Sequence, residues 1–309
     1  MNKIKDKIKE IYFSRFLLKV KRNEWCFILP PTIGDSFLIL SLIAAFREQN
    51  AKQDLIKLIF LNKKHIDILR YFPSLIDSYK FIIPPKWFYF YTYRKNELRP
   101  GTPIAVHPLC FFANSFKDLI GYKGINLLEI YKIMLNIRLD SQLTMPAILP
   151  TQDAIAKQKL LSYNLINKKV ILLAPEANST NEDEIPVDNW RDLAAYFHHQ
   201  GFEIAMIAYK DKFKNFPNVT YVEFGLDEMI AVGNQIDFFV SLRSGLCDLI
   251  AASKCQKHIL YPQRNSYSSS FLEWASINLM GFGKNISEYE FDNLNVTQIF
   301  DNIKQNIEQ

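Results

Sequence analysis

The segment FFVSLRSGLCDLIAAS, residues 238–253, places an arginine, a hydroxyl and a glycine between an apolar strand pattern and a helical pattern. Ser244 and Gly245 would precede a helix whose free N–H groups and dipole attract anions, and glycine lets a phosphate come close to the backbone. Arg243 adds a cation that binds a diphosphate or a carboxylate through two hydrogen bonds. Asp248, one turn into the helix, can accept hydrogen bonds from sugar hydroxyls. The turn therefore predicts a nucleotide-phosphate site, and a structural Arg243–Asp248 salt bridge is the alternative.

A second turn, PPTIGDS at residues 30–36, also follows an apolar strand pattern and precedes a helical one. It puts Asp35 beside the start of the helix. A carboxylate at this position commonly caps the helix by accepting backbone hydrogen bonds. The functional alternative is a general base, which requires a carboxylate within reach of an acceptor hydroxyl.

A third turn, APEANSTNEDEIPVDNW at residues 174–190, is unusually long. Connections of this length without their own secondary structure are uncommon in compact domains and are usually functional. Asn178 and Ser179 offer amide and hydroxyl donors that suit a phosphate or a sugar. The acidic run at residues 182–184 would repel a diphosphate, so we expect it to be solvated.

The sequence contains no recognisable metal or cofactor motif. No HExxH pattern or Cys/His spacing is present, and no Asp-x-Asp follows a predicted strand. The GxSxG, GxGxxG and P-loop patterns are also absent, which argues against a serine hydrolase, a dinucleotide oxidoreductase and a P-loop kinase. We therefore expect no metal and no cofactor. His107, at the end of a predicted strand, is either a structural histidine or a site residue.

Two segments suggest an anionic, lipid-like surface as a partner. The first 22 residues form a predicted basic amphipathic helix, which can lie on an anionic bilayer or pack on the protein. Residues 81–99 interleave aromatic side chains with cations that include Arg94. This second segment is either a buried strand with a charged exit or an interfacial patch.

Alternating strand and helix patterns predict an α/β protein with two doubly wound domains. The first would span residues 1–150 and the second residues 151–309, with a proline-containing linker near the boundary. Two such domains in sequence usually bind ligands in a central cleft between the carboxyl ends of their sheets.

The composition is that of a globular protein with a mild positive charge. The chain of 309 residues has a net charge of +5, and it contains neither an apolar run long enough to cross a membrane nor a secretory signal pattern. We expect a cytoplasmic protein and no nucleic-acid partner, because no recognition motif appears. The four cysteines lack CxxC spacing and are expected to be buried free thiols: Cys26, Cys110, Cys247 and Cys255.

Together the three turns resemble the heptosyltransferase-like glycosyltransferases of family 9, which have the two-domain GT-B fold. ILPPTIGDSFLILSLIAAF is similar to the family's glycine-aspartate motif and the apolar helix after it. LLAPEANSTNEDEIPVDNWRDLAAYF is similar to the donor-domain strand and loop, with Pro186 before Trp190. FVSLRSGLCDLIAAS is similar to the family's Asp-Thr-Gly-Leu-x-His-Leu segment.

The resemblance implies metal-independent transfer of a sugar from a nucleotide-sugar donor to a growing bacterial surface glycan. The family's catalytic base falls on Asp35, and a saccharide or lipid-linked saccharide acceptor is expected to bind in the first domain. Its predicted contacts there are Gly34, Arg94 and His107. The predicted donor contacts in the second domain are Asn178, Ser179, Arg243, Ser244, Gly245 and Asp248.

The donor motif departs from the family pattern. Arg243 stands where the family has its donor-binding aspartate, Ser244 replaces threonine and Asp248 replaces histidine. The family's lysine falls near Asp183, so a phosphate-neutralising cation is missing there, and Arg243 could supply it from the other side. ADP-heptose is therefore not implied, and UDP-, GDP- and CMP-linked sugars stay open.

Two other functions remain open at this point. A nucleotide-sugar epimerase of the same architecture would act on free donor without an acceptor. A non-catalytic scaffold in a glycan-assembly complex would bind no nucleotide. The expected location of the enzyme is the cytoplasm, with a peripheral position on the inner membrane if the basic helix binds lipid.

Overall fold

The computed structural model describes residues 20–52, 54–75, 79–82, 98–107, 125–177, 185–263, 270–292 and 294–308. These residues fall into two compact units that divide between Met145 and Pro146, with residues 125–127 grouped with the second unit. The predicted domain boundary after residue 150 instead lies within a helix that begins at Pro150. Most of the predicted basic helix, Arg94, Cys110, Asn178, Ser179 and Asp183 lie outside the described residues.

The first unit is built on a parallel sheet in the order β3-β2-β1-β4. Its strands are β1 (Glu24–Ile28), β2 (Leu55–Phe60), β3 (Tyr79–Ile82) and β4 (Pro103–Ala105). The helices are α1 (Ile33–Asn50) and α2 (Leu127–Met134), and 3₁₀ turns occupy Lys63–Tyr71 and Pro73–Leu75. Every residue of β1 is buried, as expected for a central parallel strand.

Helix α1 is held by its apolar side chains. The rings of Trp25 and Phe27 on β1 make edge-on contacts with Phe46 of α1, at centroid distances of 4.9 and 5.0 Å. Each fully buried side chain of this size contributes roughly 1.5–3 kcal/mol to folding. This packing fixes the position of the β1–α1 turn, which carries Asp35.

The second unit contains a six-stranded parallel sheet in the order β10-β9-β8-β5-β6-β7. Its strands are β5 (Val170–Ala174), β6 (Glu203–Met206), β7 (Val219–Tyr221), β8 (Phe238–Leu242), β9 (Gln256–Pro262) and β10 (Ile286–Phe291). Counted from β5, this is the 3-2-1-4-5-6 order of dinucleotide-binding folds, in which ligands bind where the order reverses. That point lies between β5 and β8.

The helices of this unit are α3 (Pro150–Ser162), α4 (Val187–His199), α5 (Met229–Gly233), α6 (Gly245–Ile250), α7 (Phe271–Ala275), α8 (Ile277–Met280) and α9 (Val296–Glu308). Gly201 has a φ of +85° just after α4, and its N–H bonds to the His198 carbonyl. A left-handed glycine of this kind ends a helix without strain.

The sheets confirm the predicted α/β class, and two segments with a helical sequence pattern form 3₁₀ structure in whole or in part. The segment HIDILRYF lies in a 3₁₀ helix, and LDEMIAVGNQ divides into a 3₁₀ turn at Leu226–Glu228 and the short helix α5. Among the described residues no helix is long and apolar enough to cross a membrane.

Candidate functional site

In the second unit, a serine hydroxyl connects the two strands between which the strand order reverses. Ser241, near the end of β8, donates its hydroxyl to the carbonyls of Ala174 at 3.0 Å and Leu242 at 2.8 Å. This side chain ties the end of β8 to the end of β5. The Arg243–Gly245 turn therefore leaves the sheet from a fixed position at its carboxyl edge.

Arg243 and Asp248 form a buried bidentate ion pair. Arg243 Nη1 lies 2.8 Å from Asp248 Oδ2, and Nη2 lies 2.7 Å from Oδ1. The two side chains are 6% and 3% exposed. Burial opposes the charge on Arg243, but the Asp248 carboxylate outweighs it and raises the pKa of the guanidinium. The geometry favours the salt-bridge alternative, and direct donor contacts by these side chains stay a prediction.

The same guanidinium bonds two backbone carbonyls. Its Nη1 donates to the Ser244 carbonyl at 2.6 Å, and its Nε donates to the Ala275 carbonyl at 3.2 Å. Arg243 thus connects its own turn, helix α6 and the junction of α7 with α8. Sequence reasoning could not find the contact with Ala275, because it joins positions 32 residues apart.

A network of hydrogen bonds around Glu288 lies next to the α7–α8 junction. Glu288 on β10 accepts hydrogen bonds from the Tyr261 hydroxyl, the Ser276 hydroxyl and the Ile277 N–H at 2.5–2.7 Å. Burial, and the nearby Glu288 carboxylate, raise the pKa of Tyr261, although Arg243 acts in the opposite direction. The network fixes the start of α8 against β9 and β10.

Ser244 is the N-cap of α6 and has extended backbone angles. Its carbonyl accepts the N–H of Cys247 at 3.0 Å. Ser244 is 9% exposed and Gly245 is half-buried. Both predicted donor residues therefore lie at the carboxyl edge, immediately beside the reversal point.

In the first unit the strand order reverses between β1 and β4, and Asp35 lies beyond the end of β1. The N-cap of α1 is Thr32, and Asp35 is the third residue of the helix. The first alternative for Asp35, a helix cap, is therefore wrong. Instead, the Thr32 hydroxyl donates a hydrogen bond to Asp35 Oδ2. Asp35 is half-buried and its neighbour Gly34 is buried, so the carboxylate stands at the edge of the sheet.

His107 follows β4 on the other side of the same reversal point. Ile28 pairs with Ala105 across β1 and β4, and the Val106 N–H continues the ladder to the Ile28 carbonyl. Burial lowers the pKa of His107, while the charge of the Asp35 carboxylate acts in the opposite direction. The structure therefore brings together Asp35 and His107, which are 72 positions apart. A carboxylate and a neutral imidazole in this arrangement can exchange protons with a bound hydroxyl.

The loop after β6 is held by hydrogen bonds to a carboxylate in the loop after β5, a contact that the sequence did not indicate. Glu176 Oε1 accepts the backbone N–H groups of Tyr209 and Lys210, both at 2.8 Å. Tyr209 itself is 67% exposed. The position of Glu176 in the long turn after β5 could have marked it as a candidate site residue. Nothing in the sequence indicated that it contacts the backbone of Tyr209.

The described residues bear on the expectations for metal ligands and for cysteines. Within those ranges no group of three His, Cys, Asp or Glu side chains could hold a metal ion. Cys26, Cys247 and Cys255 are free and buried, as predicted, and burial raises the pKa of each thiol.

No protein-family model matches the sequence, and no curated protein matches it. Solved structures do match. The structure of E. coli ADP-heptose LPS heptosyltransferase II aligns with 93% of this chain and 99% of its own, with a TM-score of 0.59 and 11% identity. A family 9 glycosyl transferase from Veillonella parvula aligns with 93% of this chain and 91% of its own, with a TM-score of 0.56 and 13% identity. The chain has the GT-B fold.

A UDP-GlcNAc 2-epimerase from Neisseria meningitidis, bound to UDP-GlcNAc, aligns with 92% of this chain and 91% of its own. Its TM-score is 0.50 and its identity 12%. The resemblance to heptosyltransferase-like proteins is thus confirmed at the level of the GT-B fold. Within that fold, Asp35 and the Arg243–Gly245 turn lie at the two reversal points of the sheets.

Proposed function

We propose that this GT-B protein is a glycosyltransferase that moves a sugar from a nucleotide-sugar donor to a bacterial surface glycan. The acceptor would be a lipopolysaccharide, a lipooligosaccharide or a capsule precursor. The observation that carries the proposal is the position of Asp35 beyond β1, at the carboxyl edge of the first sheet, where His107 follows the neighbouring strand β4. The similarity to heptosyltransferase II and to a family 9 glycosyl transferase supports the reaction class.

In the proposed reaction, Asp35 takes the proton of an acceptor hydroxyl as that oxygen attacks the anomeric carbon of the donor. The bond from this carbon to the donor phosphate breaks, and its electron pair leaves with the nucleotide. General base catalysis of this type contributes roughly 10²–10⁴-fold to the rate. The hydrogen bond from Thr32 would orient the carboxylate for this step.

The donor phosphates are proposed to bind at the Arg243–Gly245 turn, because ligands of open α/β sheets bind where the strand order reverses. The buried pair of Arg243 and Asp248 is neutral as a whole. Backbone N–H groups and the Ser244 hydroxyl are therefore the contacts expected at the phosphates. Asn178 and Ser179 are further donor contacts in this proposal, whereas Gly34, His107 and Arg94 would contact the acceptor.

The first experiment combines the purified protein with UDP-, GDP-, ADP- and CMP-linked sugars and truncated surface-glycan acceptors, and it measures released nucleotide and elongated product. We expect turnover that survives EDTA. Asp35→Asn should reduce kcat at least about 100-fold. Glu48→Gln, an exposed acid on the same helix, is the matched control and should keep full activity.

An epimerase is the second candidate, because of the UDP-GlcNAc 2-epimerase similarity. The same assay separates the two reactions. Epimerised or hydrolysed donor formed without acceptor would favour the epimerase. Full transfer activity in a folded Asp35→Asn protein would exclude the proposed base. Loss of transfer in EDTA, restored by added metal, would contradict the metal-independent reaction.

A further inference from the structure

The loop after β6 lies directly beside the loop after β5. In the sheet, Leu173 of β5 pairs with Met206 of β6, and the Ile207 N–H bonds to the Leu173 carbonyl. Beyond the ends of both strands, Glu176 contacts the backbone of Tyr209. Glu176 Oε1 accepts the N–H groups of Tyr209 and Lys210, both at 2.8 Å, so one carboxylate fixes the backbone of the β6 loop.

On this fixed backbone, Tyr209 presents a large aromatic side chain that is 67% exposed. Tyr221 and Tyr261 lie near the ends of the same sheet but use their hydroxyls in internal hydrogen bonds. An exposed aromatic ring on a backbone already held by hydrogen bonds offers a π-face to a flat ligand, and binding then orders the side chain but not the backbone. Nucleobases stack on such rings whatever their sequence identity.

The Glu176 carboxylate lies at the backbone of Tyr209, and the charge of Glu223 also acts on the phenol. Desolvation where the side chain meets the protein, and then the charges of Glu223 and Glu176, raise the pKa of Tyr209. Carboxylate oxygens accept hydrogen bonds from hydroxyl and amino groups, and they repel phosphates. Hydrogen-bond acceptors at the Tyr209 end of the edge therefore suit the hydroxyl groups of a nucleoside.

The Arg243–Gly245 turn, where the donor phosphates are proposed to bind, lies at the same edge of the sheet, after β8. Strand β5 has β6 on one side and β8 on the other, so the ends of β6 and β8 are about 10 Å apart at the usual spacing of neighbouring strands. One nucleoside diphosphate can bridge this distance. Its nucleoside would lie at the end of β6 and its diphosphate at the end of β8.

We propose that Tyr209 and Glu176 form the nucleoside subsite of this protein, with the Tyr209 ring stacked on the base and Glu176 Oε2 accepting a ribose hydroxyl. This inference rests on the proposed donor site and adds the position of the base. Stacking on Tyr209 accepts every base, so the protein binds several nucleoside diphosphates with similar affinity. Selection of the donor then depends on the sugar.

The test is calorimetric titration of the full-length protein with ADP, GDP, UDP, CDP and inorganic pyrophosphate. Tyr209→Ala should weaken each nucleoside diphosphate about 10-fold or more and leave pyrophosphate unchanged. Tyr209→Phe should bind like the wild type, because the ring is kept. Leu279→Ala, another exposed side chain of the second unit at 60%, is the matched control.

A second comparison tests the ribose contact. The wild type should bind UDP more tightly than 2′,3′-dideoxy-UDP, and this difference should shrink in Glu176→Gln, whose amide oxygen can still accept the two N–H groups. Wild-type protein that binds none of the nucleotides would overturn the proposed function itself. Nucleotide binding that is equally tight in folded Tyr209→Ala would overturn the subsite alone.

Discussion

At the scale of single residues, His258 is a buried histidine that has lost the solvation its charged form needs. It is fully buried on β9, and its Nδ1 lies 2.9 Å from the Tyr289 hydroxyl. Its Nε2 has no hydrogen-bond partner among the described residues. Burial lowers the pKa of His258 from 6.5 to about 4. The folded protein therefore holds this ring neutral under conditions where the unfolded chain would protonate it.

The low pKa of His258 predicts a loss of stability in mild acid. The unfolded state binds more protons than the folded state between pH 6.5 and 4, so the free energy of unfolding falls as the pH decreases through this range. From pH 7 to pH 5 the loss from this residue should be about 2 kcal/mol. Urea denaturation at both pH values measures it.

A His258→Phe protein keeps an aromatic ring beside Tyr289 and cannot titrate. Its stability should fall less between pH 7 and pH 5 than that of the wild type. His199→Phe, which changes an exposed histidine, should keep the wild-type dependence. An unchanged pH dependence in His258→Phe would show that another group causes the acid sensitivity.

At the scale of elements, the Arg243–Asp248 pair connects the β8 turn, α6 and the α7–α8 junction. Removing one partner of a buried pair leaves the other charge unpaired and costs about 3–5 kcal/mol. Asp248→Asn should therefore lower the free energy of unfolding by about this amount, measured by urea denaturation. Asp301→Asn breaks the exposed Asp301–Lys304 pair and should cost under about 1 kcal/mol.

The single variants Arg243→Met and Asp248→Leu and the double variant that carries both form a thermodynamic cycle. The double variant removes both charges together, so its cost should be well below the sum of the two single changes. Additive losses would show that the two side chains stabilise the protein independently. Nucleotide affinity of the double variant then reports whether Arg243 also contacts the donor phosphates.

The elements also show where sequence reasoning worked. Strands β1, β5 and β8 read as nearly continuous apolar runs, with Glu24 and Ser241 as the polar exceptions, because both faces of a central parallel strand are covered. Strand β10 was missed. Five of its six residues are only half-buried, and its sequence ISEYEF has neither a continuous apolar run nor a strict alternation of polar and apolar residues. Helix α9 was missed although its buried residues repeat at helical spacing.

The candidate site could be predicted only as positions along the chain. The turn sequences placed Asp35, Ser244 and Gly245 at carboxyl ends of strands, because strand and helix patterns bracket them. They could not decide whether Arg243 pairs with Asp248 or stays available, because both geometries fit the same spacing. Contacts such as Glu176 with Tyr209 depend on which strands are neighbours, and strand order is a property of the folded sheet.

At the scale of the whole molecule, charge is distributed unevenly along the sequence. The net charge is +5, and the first 22 residues contain eight lysines and arginines against two acids. Lysine and arginine side chains close to an anionic bilayer surface add about 1 kcal/mol each to binding, and salt screens the effect. A surface-glycan acceptor carried on a lipid would be met at such a surface. The proposed peripheral location on the inner membrane follows from this charge.

We therefore expect the full-length protein to float with vesicles that contain anionic lipid and to stay unbound with neutral vesicles. Replacing Lys3, Lys5, Lys7 and Lys9 by glutamine should greatly weaken flotation, because the net charge of the first 22 residues falls from 8 − 2 = +6 to 4 − 2 = +2 and about 4 kcal/mol of favourable contact is lost. A matched variant carries the same four changes at exposed lysines elsewhere, namely Lys63, Lys64, Lys254 and Lys284. It lowers the net charge equally and should still float. Equal loss in both variants would make binding a matter of total charge, and wild-type protein that never floats would place the acceptor encounter away from the membrane surface.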